Sequence, residues 1–156
     1  MSIVTFWNDD REQSGRTLTS VAVATRMAME RNFKILLLST SFNDPTMKNC
    51  FWGNEIQRNL KLFSGKNNNI AVENGIEGLS KLATSNKLTP EIITDYTKVI
   101  FKERLEVIGG FVGVKDKTQE ENFLDYNRLQ ECYIDIIRMA NLHYDMVLVD
   151  LDKSLN

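Results

Sequence analysis

Gly15, Arg16 and Thr17, near the start of the chain, have the types and the order that a phosphate-binding loop requires. In such a loop a glycine lets backbone N–H groups converge on an anion, a cation binds the phosphates, and a hydroxyl binds magnesium. The whole segment reads Asp-Arg-Glu-Gln-Ser-Gly-Arg-Thr over residues 10–17. Its chemistry would be the binding of ATP with magnesium.

A second chemical feature stands near the other end of the sequence, where an apolar run ends in an acid. Residues 145–151 read Asp-Met-Val-Leu-Val-Asp-Leu, so Asp150 closes a run of apolar residues. A carboxylate and a hydroxyl are oxygen ligands that magnesium accepts, so Thr17 and Asp150 are candidate magnesium ligands. Asp150 could instead cap a neighbouring helix, and both interpretations stay open.

The elements that must position these residues form a βαβ unit. Ser2–Trp7 is β-branched and aromatic and is predicted to be a buried strand, and the polar segment Asn8–Gly15 a loop. Thr17–Asn32 has a broad apolar face typical of a helix, and Lys34–Leu38 lacks polar alternation, as strands of a parallel sheet do. The order strand, loop, helix, strand predicts a right-handed crossover.

The rest of the chain is predicted to complete one α/β domain over residues 1–156, with a mainly parallel sheet flanked by helices. The further elements are a loop with a short helix over 39–54, a short strand Ile70–Val72, helices Gly75–Ala83, Thr89–Tyr96 and Glu120–Leu142, and strands Thr97–Phe101, Arg104–Ile108 and Asp145–Leu151. The first, second and last strands should run parallel, with their carboxyl ends beside the 10–17 loop.

These features resemble the ParA/MinD family of P-loop ATPases, whose loop reads G-K-G-G-x-G-K-[ST]-T. Aligned on Gly15, the signature lysine falls on Arg11 and the phosphate lysine on Arg16. Thr17 takes the position of the magnesium-binding threonine, and Leu18 takes that of the Ser or Thr that follows it. The resemblance implies that these five residues contact ATP, with magnesium held as described above.

The resemblance extends beyond the loop. Tyr144–Asp150 matches the family's Walker B strand, and Leu105–Gly110 resembles the strand before it. The second family strand ends in Asp-x-Asp, but Ser39 and Ser41 stand at those two positions here. Members of the family continue beyond Walker B, so the resemblance implies a P-loop NTPase-like domain shortened at that strand, the N-terminal part of a longer one.

Departures within the loop argue against efficient hydrolysis. Glu12 and Gln13 replace two glycines and Asp10 replaces the first, so residues with a Cβ must adopt strained conformations. A carboxylate about 4 Å from a bound phosphate would cost about 4 kcal/mol at an effective dielectric near 20. Ser39 and Ser41 cannot orient magnesium or water as carboxylates do. We therefore expect weak or no turnover, and an ATPase if the chain is active.

Three functions remain open from the sequence. The first is a degenerate ParA/MinD-like protein acting as a dimerising or scaffold module in bacterial partition, localisation, or pilus or secretion assembly. The second is an active ATP-dependent switch in which Arg11 and Arg16 replace the two lysines. The third is an interaction domain without ligand chemistry, in which Arg16 simply pairs with Asp10 or Glu12 at the surface.

The composition of the chain limits the classes of partner that we expect. The net charge is −2, and the chain has no signal-peptide pattern and no apolar run of the roughly 18 residues that a membrane span needs. We expect a cytoplasmic homodimer with protein partners and without a nucleic-acid or membrane element. Cys50, Cys132 and the one histidine, His143, are too scattered for a metal motif, and His143 suits the end of a helix.

Overall fold

The computed structural model describes residues 2–8, 15–41, 44–53, 75–111 and 126–152. These ranges form an α/β fold, which confirms the predicted class. In chain order the elements are β1 (Ser2–Phe6), α1 (Arg16–Glu30), β2 (Ile35–Ser39), α2 (residues 46–53), α3 (Gly75–Thr84), a 3-10 helix (Ile92–Tyr96), β3 (Lys98–Phe101), β4 (Leu105–Ile108), α4 (Tyr126–His143) and β5 (Met146–Asp150). The predicted strand Ile70–Val72 lies outside the described residues.

One five-stranded sheet has the order β1-β5-β2-β4-β3. β5 pairs in parallel with β1 on one side and with β2 on the other, and β2 also pairs in parallel with β4. The parallel arrangement predicted for the first, second and last strands is therefore confirmed. The burial predicted for the first strand is wrong, because β1 lies at the edge of the sheet and is largely exposed. β3 is antiparallel to β4, so the two strands form a hairpin and the sheet is mixed.

The centre of the sheet is buried on both faces, because its strands are apolar without alternation. All five residues of β2 are buried, and successive residues of that strand enter opposite cores. Leu36 and Leu38 join the core beneath α3 and α4, whereas Ile35 and Leu37 join the core beneath α1 and α2. The two cores hold β2, β4 and β5 rigidly between helices, so the residues at the strand ends have fixed positions.

The segment predicted as a helix from Thr89 to Tyr96 is instead a turn followed by the 3-10 helix, so the α-helix expected there is wrong. Contact with α3 explains the difference. A Cβ at Gly75 would lie 2.0 Å from the carbonyl oxygen of Tyr96, and a Cβ at Gly78 would lie 2.2 Å from its ring. This close approach fixes the segment against α3, and tertiary packing overrides the helix-start signal of Thr89-Pro90.

Candidate functional site

The carboxyl ends of β1, β5 and β2 meet at one end of the sheet. Phe6 of β1 and Ser39 of β2 are both in register with Asp150, the last residue of β5. Helix α1 begins at the same end of the sheet, because Arg16 and Thr17 of its first turn contact Asp150. This is the arrangement in which parallel α/β sheets place ligand sites.

Asp150 is fully buried and has two side-chain partners from the first turn of α1. The guanidinium Nε of Arg16 donates to Oδ1 at 2.6 Å, and the hydroxyl of Thr17 donates to Oδ2 at 2.8 Å. We call these three residues the carboxyl-end cluster. The sequence predicted Arg16 to pair with Asp10 or Glu12 at the surface as one alternative; its described partner is Asp150, and residues 10 and 12 lie outside the described ranges.

Gly15 is the residue before the first turn of α1 and has a left-handed conformation, with φ 72° and ψ 9°. A Cβ at this position would meet nothing within 4 Å, so the conformation, not the space, favours glycine. Its carbonyl accepts the N–H of Thr19 at 2.8 Å and starts the helical ladder. The left-handed turn sends the chain into α1 with its free N–H groups at the carboxyl end of the sheet.

Thr40 fixes the main chain of Asp150, a role that the sequence analysis missed. Its N–H donates to the Asp150 carbonyl at 3.0 Å, and its hydroxyl donates to the same carbonyl at 3.3 Å. The hydroxyl also accepts the N–H of Asp152 at 2.8 Å. Only the position of Thr40 between two strand-end serines could have drawn attention to it.

Ser39 and Ser41, the serines at the expected acidic positions, bond to each other. Their hydroxyl oxygens lie 2.8 Å apart, and the side chains are 0% and 2% exposed. Gly110 follows β4 and lies against them, since a Cβ there would be 2.2 Å from the Ser41 carbonyl oxygen. The pair is therefore an uncharged, self-satisfied polar contact beside Asp150.

The other predicted nucleotide contacts are not brought into this cluster. Leu18 follows Thr17 in α1, but its side chain is 55% exposed and has no part in the contacts of Asp150. Arg11 lies outside the described residues, as do most residues of the predicted loop Asn8–Gly15. The structure thus unites Gly15, Arg16, Thr17 and Asp150.

The geometry of Thr17 and Asp150 fits two of the six ligand positions of a magnesium site. Neighbouring ligands of octahedral magnesium, with bonds of 2.0–2.1 Å, lie about 2.9 Å apart. The Thr17 hydroxyl and Asp150 Oδ2 are already 2.8 Å apart. Phosphates and water would have to supply the other ligands, since the described ranges hold no group of three or more His, Cys, Asp or Glu able to bind a metal. Arg16 opposes the ion, because its charge already compensates the carboxylate.

A second buried carboxylate, Glu106, lies toward the amino end of the sheet. Its Oε2 accepts the hydroxyls of Tyr144 at 2.5 Å and Thr97 at 2.9 Å, and Lys34 Nζ lies 3.7 Å from Oε1. Lys34 Nζ is also 2.6 Å from His143 Nε2 and lies over the Tyr144 ring. We call these five residues the amino-end cluster. Burial, together with the hydrogen bond to Glu106, raises the pKa of Tyr144 far above its usual value.

No signal in the sequence analysis identified the amino-end cluster. A lone charge inside the apolar run of β4 was the available hint, because a glutamate in a central strand needs buried partners. His143 ends α4, as predicted, and its ring nitrogen also contacts Lys34. Cys132 is buried on the apolar side of α4, and Cys50 is exposed.

Comparison with known proteins supplies no relative: no protein-family model, curated protein or solved structure matches this chain. Of the helices in the described ranges, none has both the length and the apolar character needed to cross a membrane. Function is therefore inferred from the chemistry of the two clusters.

Proposed function

We propose that this chain is a degenerate ParA/MinD-like module that binds magnesium–ATP weakly and turns it over slowly or not at all. One observation carries the proposal: the Thr17 hydroxyl and the Asp150 carboxylate lie 2.8 Å apart at the carboxyl end of adjacent parallel strands. P-loop NTPases hold magnesium with a loop Ser or Thr and a strand-end Asp in this relation.

Each residue of the carboxyl-end cluster has a part in this binding. The N-terminus of α1 attracts phosphate through its free N–H groups and its dipole. Thr17 and Asp150 offer two oxygens to magnesium. Arg16 Nε is held by Asp150, so any movement of the guanidinium toward a phosphate that breaks this ion pair subtracts from the binding free energy. We therefore expect a dissociation constant of about 1 mM, equivalent to about 4 kcal/mol.

Slow turnover follows from the residues beside Asp150. Ser39, which is in register with Asp150, and Ser41 stand at the positions where the family has acids, and their two hydroxyls share one hydrogen bond. A neutral hydroxyl is a poor proton acceptor compared with a carboxylate. The resemblance then suggests a scaffold or dimerising role in bacterial partition, localisation, or pilus or secretion assembly.

A second candidate, an interaction domain without ligand chemistry, is favoured by one specific observation. Both carboxylate oxygens of Asp150 have partners within the chain, so the carboxyl-end cluster is complete without magnesium. The active switch using Arg11 and Arg16 is the third candidate, and it requires measurable turnover. Binding and hydrolysis assays separate the three.

Titration calorimetry with ATP, with and without magnesium, tests the proposal. We expect magnesium-dependent binding with a dissociation constant of about 1 mM, and loss of binding in Thr17→Val. Arg16→Lys should bind more tightly, because a compact ammonium replaces the guanidinium, which can hold a carboxylate through two hydrogen bonds. Thr19→Val is the matched control, because Thr19 lies in the same helix turn with an exposed side chain. It should bind as the unaltered chain does.

Three results would contradict the proposal. No heat at 10 mM ATP in either the unaltered chain or Arg16→Lys would favour the interaction domain. Micromolar affinity would show that the loop departures do not weaken binding. A steady ATPase rate that disappears in Arg16→Ala would identify the active switch.

A further inference from the structure

β1 is an edge strand with one side open. It pairs with β5, and among the described residues no strand pairs with its other side. Two backbone bonds show how the strand is oriented: Ser2 N donates to the Asp145 carbonyl at 3.3 Å, and Leu151 N donates to the Phe6 carbonyl at 3.0 Å. Because successive residues direct their backbone groups to opposite sides, those of Ile3 and Thr5 point away from β5.

The usual means of protecting such an edge are absent from β1. Its sequence, Ser-Ile-Val-Thr-Phe, has no charge and no proline, and its residues pair with β5 in unbroken register. Ile3 is 49% exposed and Val4 41% exposed, and they lie on opposite faces of the sheet. An uncharged, β-branched edge with free backbone groups is suited to accept another strand.

We propose that this edge joins two copies of the chain in an antiparallel pair centred on Val4. With a two-fold axis at Val4, Ile3 of one copy faces Thr5 of the other, and the outward N–H and C=O groups of both residues form four hydrogen bonds. The same five residues thus complement themselves in the one register that satisfies all of these groups. Charge does not oppose the pairing, since no charged side chains of the two strands come opposite each other.

Symmetry favours a second copy in this orientation. An antiparallel pair related by a two-fold axis uses the same edge of both chains and closes as a dimer. Pairing of this edge with a different surface of a second chain would leave both kinds of surface open for further chains. Two five-residue strands bury less than the roughly 1,600 Å² of a standard interface, so the dimer should be weak and concentration-dependent. This inference concerns β1 alone and does not depend on nucleotide binding.

Proline at position 5 tests the pairing with little effect on the fold. Thr5→Pro removes an N–H that points to the open edge, so the bonds between β1 and β5 are kept. Thr5→Val keeps the N–H and is the matched control. Light scattering and sedimentation over a concentration series should show a dimer for the unaltered chain and for Thr5→Val, and at least about a tenfold weaker dimer for Thr5→Pro.

A second variant uses charge instead of backbone chemistry. Val4→Lys places two ammonium groups opposite each other at the axis, and it should also weaken the dimer at least about tenfold, less so in high salt. Met29→Lys, at a 65% exposed position of α1, is its control. Circular dichroism and thermal melting confirm that each variant is folded. A monomer at every concentration, or a dimer that Thr5→Pro and Val4→Lys both retain, overturns the proposal; an edge that accepts only another protein's strand gives the first result.

Discussion

Two buried carboxylates lie toward opposite ends of the sheet, and their surroundings differ. Asp150 is bound by Arg16 and Thr17, consecutive residues of one helix turn that follows a loop. Glu106 is bound by residues from separate parts of the chain, including Tyr144 and Thr97. The two partners of Asp150 can move away from it together, because they belong to one helix turn. The partners of Glu106 belong to several elements, so they cannot move away in a single local change.

This difference indicates different roles for similar chemistry. A carboxylate whose partners belong to one helix turn can exchange them for a ligand, whereas one held by several elements fixes those elements together. The difference in partners therefore agrees with the proposed binding role of the carboxyl-end cluster and leads us to expect a stabilising role for the amino-end cluster. Substitutions in the two clusters should separate these roles.

The largest expected effect is the loss of Glu106. Glu106→Ala leaves the buried Tyr144 hydroxyl without its acceptor and takes one partner each from Thr97 and Lys34, and we expect the free energy of unfolding to fall by about 3–5 kcal/mol. Asp150→Ala should cost about 1–3 kcal/mol, because its two side-chain partners, Arg16 and Thr17, both lie in the first turn of α1. Urea denaturation measures both. A greater loss for Asp150→Ala would reverse the comparison.

Tyr144 should give the amino-end cluster its own dependence on pH. The native pKa of Tyr144 is raised by burial and by Glu106, so above the unfolded pKa of about 10 only the unfolded chain loses the phenolic proton. Stability is then unaffected by this group below pH 10 and falls above it, by about 1.4 kcal/mol per pH unit for one retained proton.

Tyr144→Phe removes this contribution. Denaturation between pH 8 and 11 should show a shallower loss of stability for Tyr144→Phe than for the unaltered chain. The loss of stability that remains in Tyr144→Phe includes a contribution from Tyr133. Burial and the charge of Asp152 raise the pKa of that residue as well. Parallel stability curves for the two proteins above pH 10 would contradict the raised pKa of Tyr144.

A matched pair of threonines sharpens the comparison at smaller magnitude. Thr17 and Thr97 each donate a hydroxyl hydrogen bond to a buried carboxylate, at 2.8 and 2.9 Å. Thr17→Val and Thr97→Val should each lower the free energy of unfolding by about 1–2 kcal/mol. Only Thr17→Val should change magnesium-dependent ATP binding, measured by calorimetry. If both or neither change it, the division between binding and stability is wrong.

The smallest effect is expected at His143. Its Nε2 lies 2.6 Å from Lys34 Nζ at the partly exposed border of the amino-end cluster. His143→Gln keeps an acceptor within reach, so stability at pH 7 should change by no more than about 0.5 kcal/mol. Thermal melting with the unaltered chain as reference would detect a larger change, which would show that His143 is integral to the cluster.

Sequence patterns were sufficient for the parts of the molecule in which local signals agree. Unbroken apolar runs predicted the strands ending at Ser39 and Asp150 and their parallel direction, because only burial on both faces suits such runs. The same reasoning placed Thr17 beside Asp150, since the carboxyl ends of parallel strands meet. The Tyr96 segment was predicted wrongly because its contact with Gly75 is tertiary.

Other contacts could not be predicted because they join residues distant in sequence without any periodic signal. Tyr144 and Glu106 are 38 positions apart, and Lys34 is 109 positions from His143. Thr40 bonds to backbone groups of Asp150 and Asp152, and every residue type has such groups, so the sequence does not reveal these bonds. Such contacts depend on register between strands, and register follows from the assembled sheet.

The strand order also determines when the first strand can take its place. β5 separates β1 from β2, so among the described strands β1 has no neighbour in the sheet until Met146–Asp150 has been synthesised. During translation α1, β2 and the β3–β4 hairpin can assemble from nearby residues, while the apolar β1 segment remains unpaired. Closing a loop that spans nearly the whole chain is a slow, late step in folding. Until then the nascent chain exposes β1, and aggregation at that stage competes with completion of the sheet.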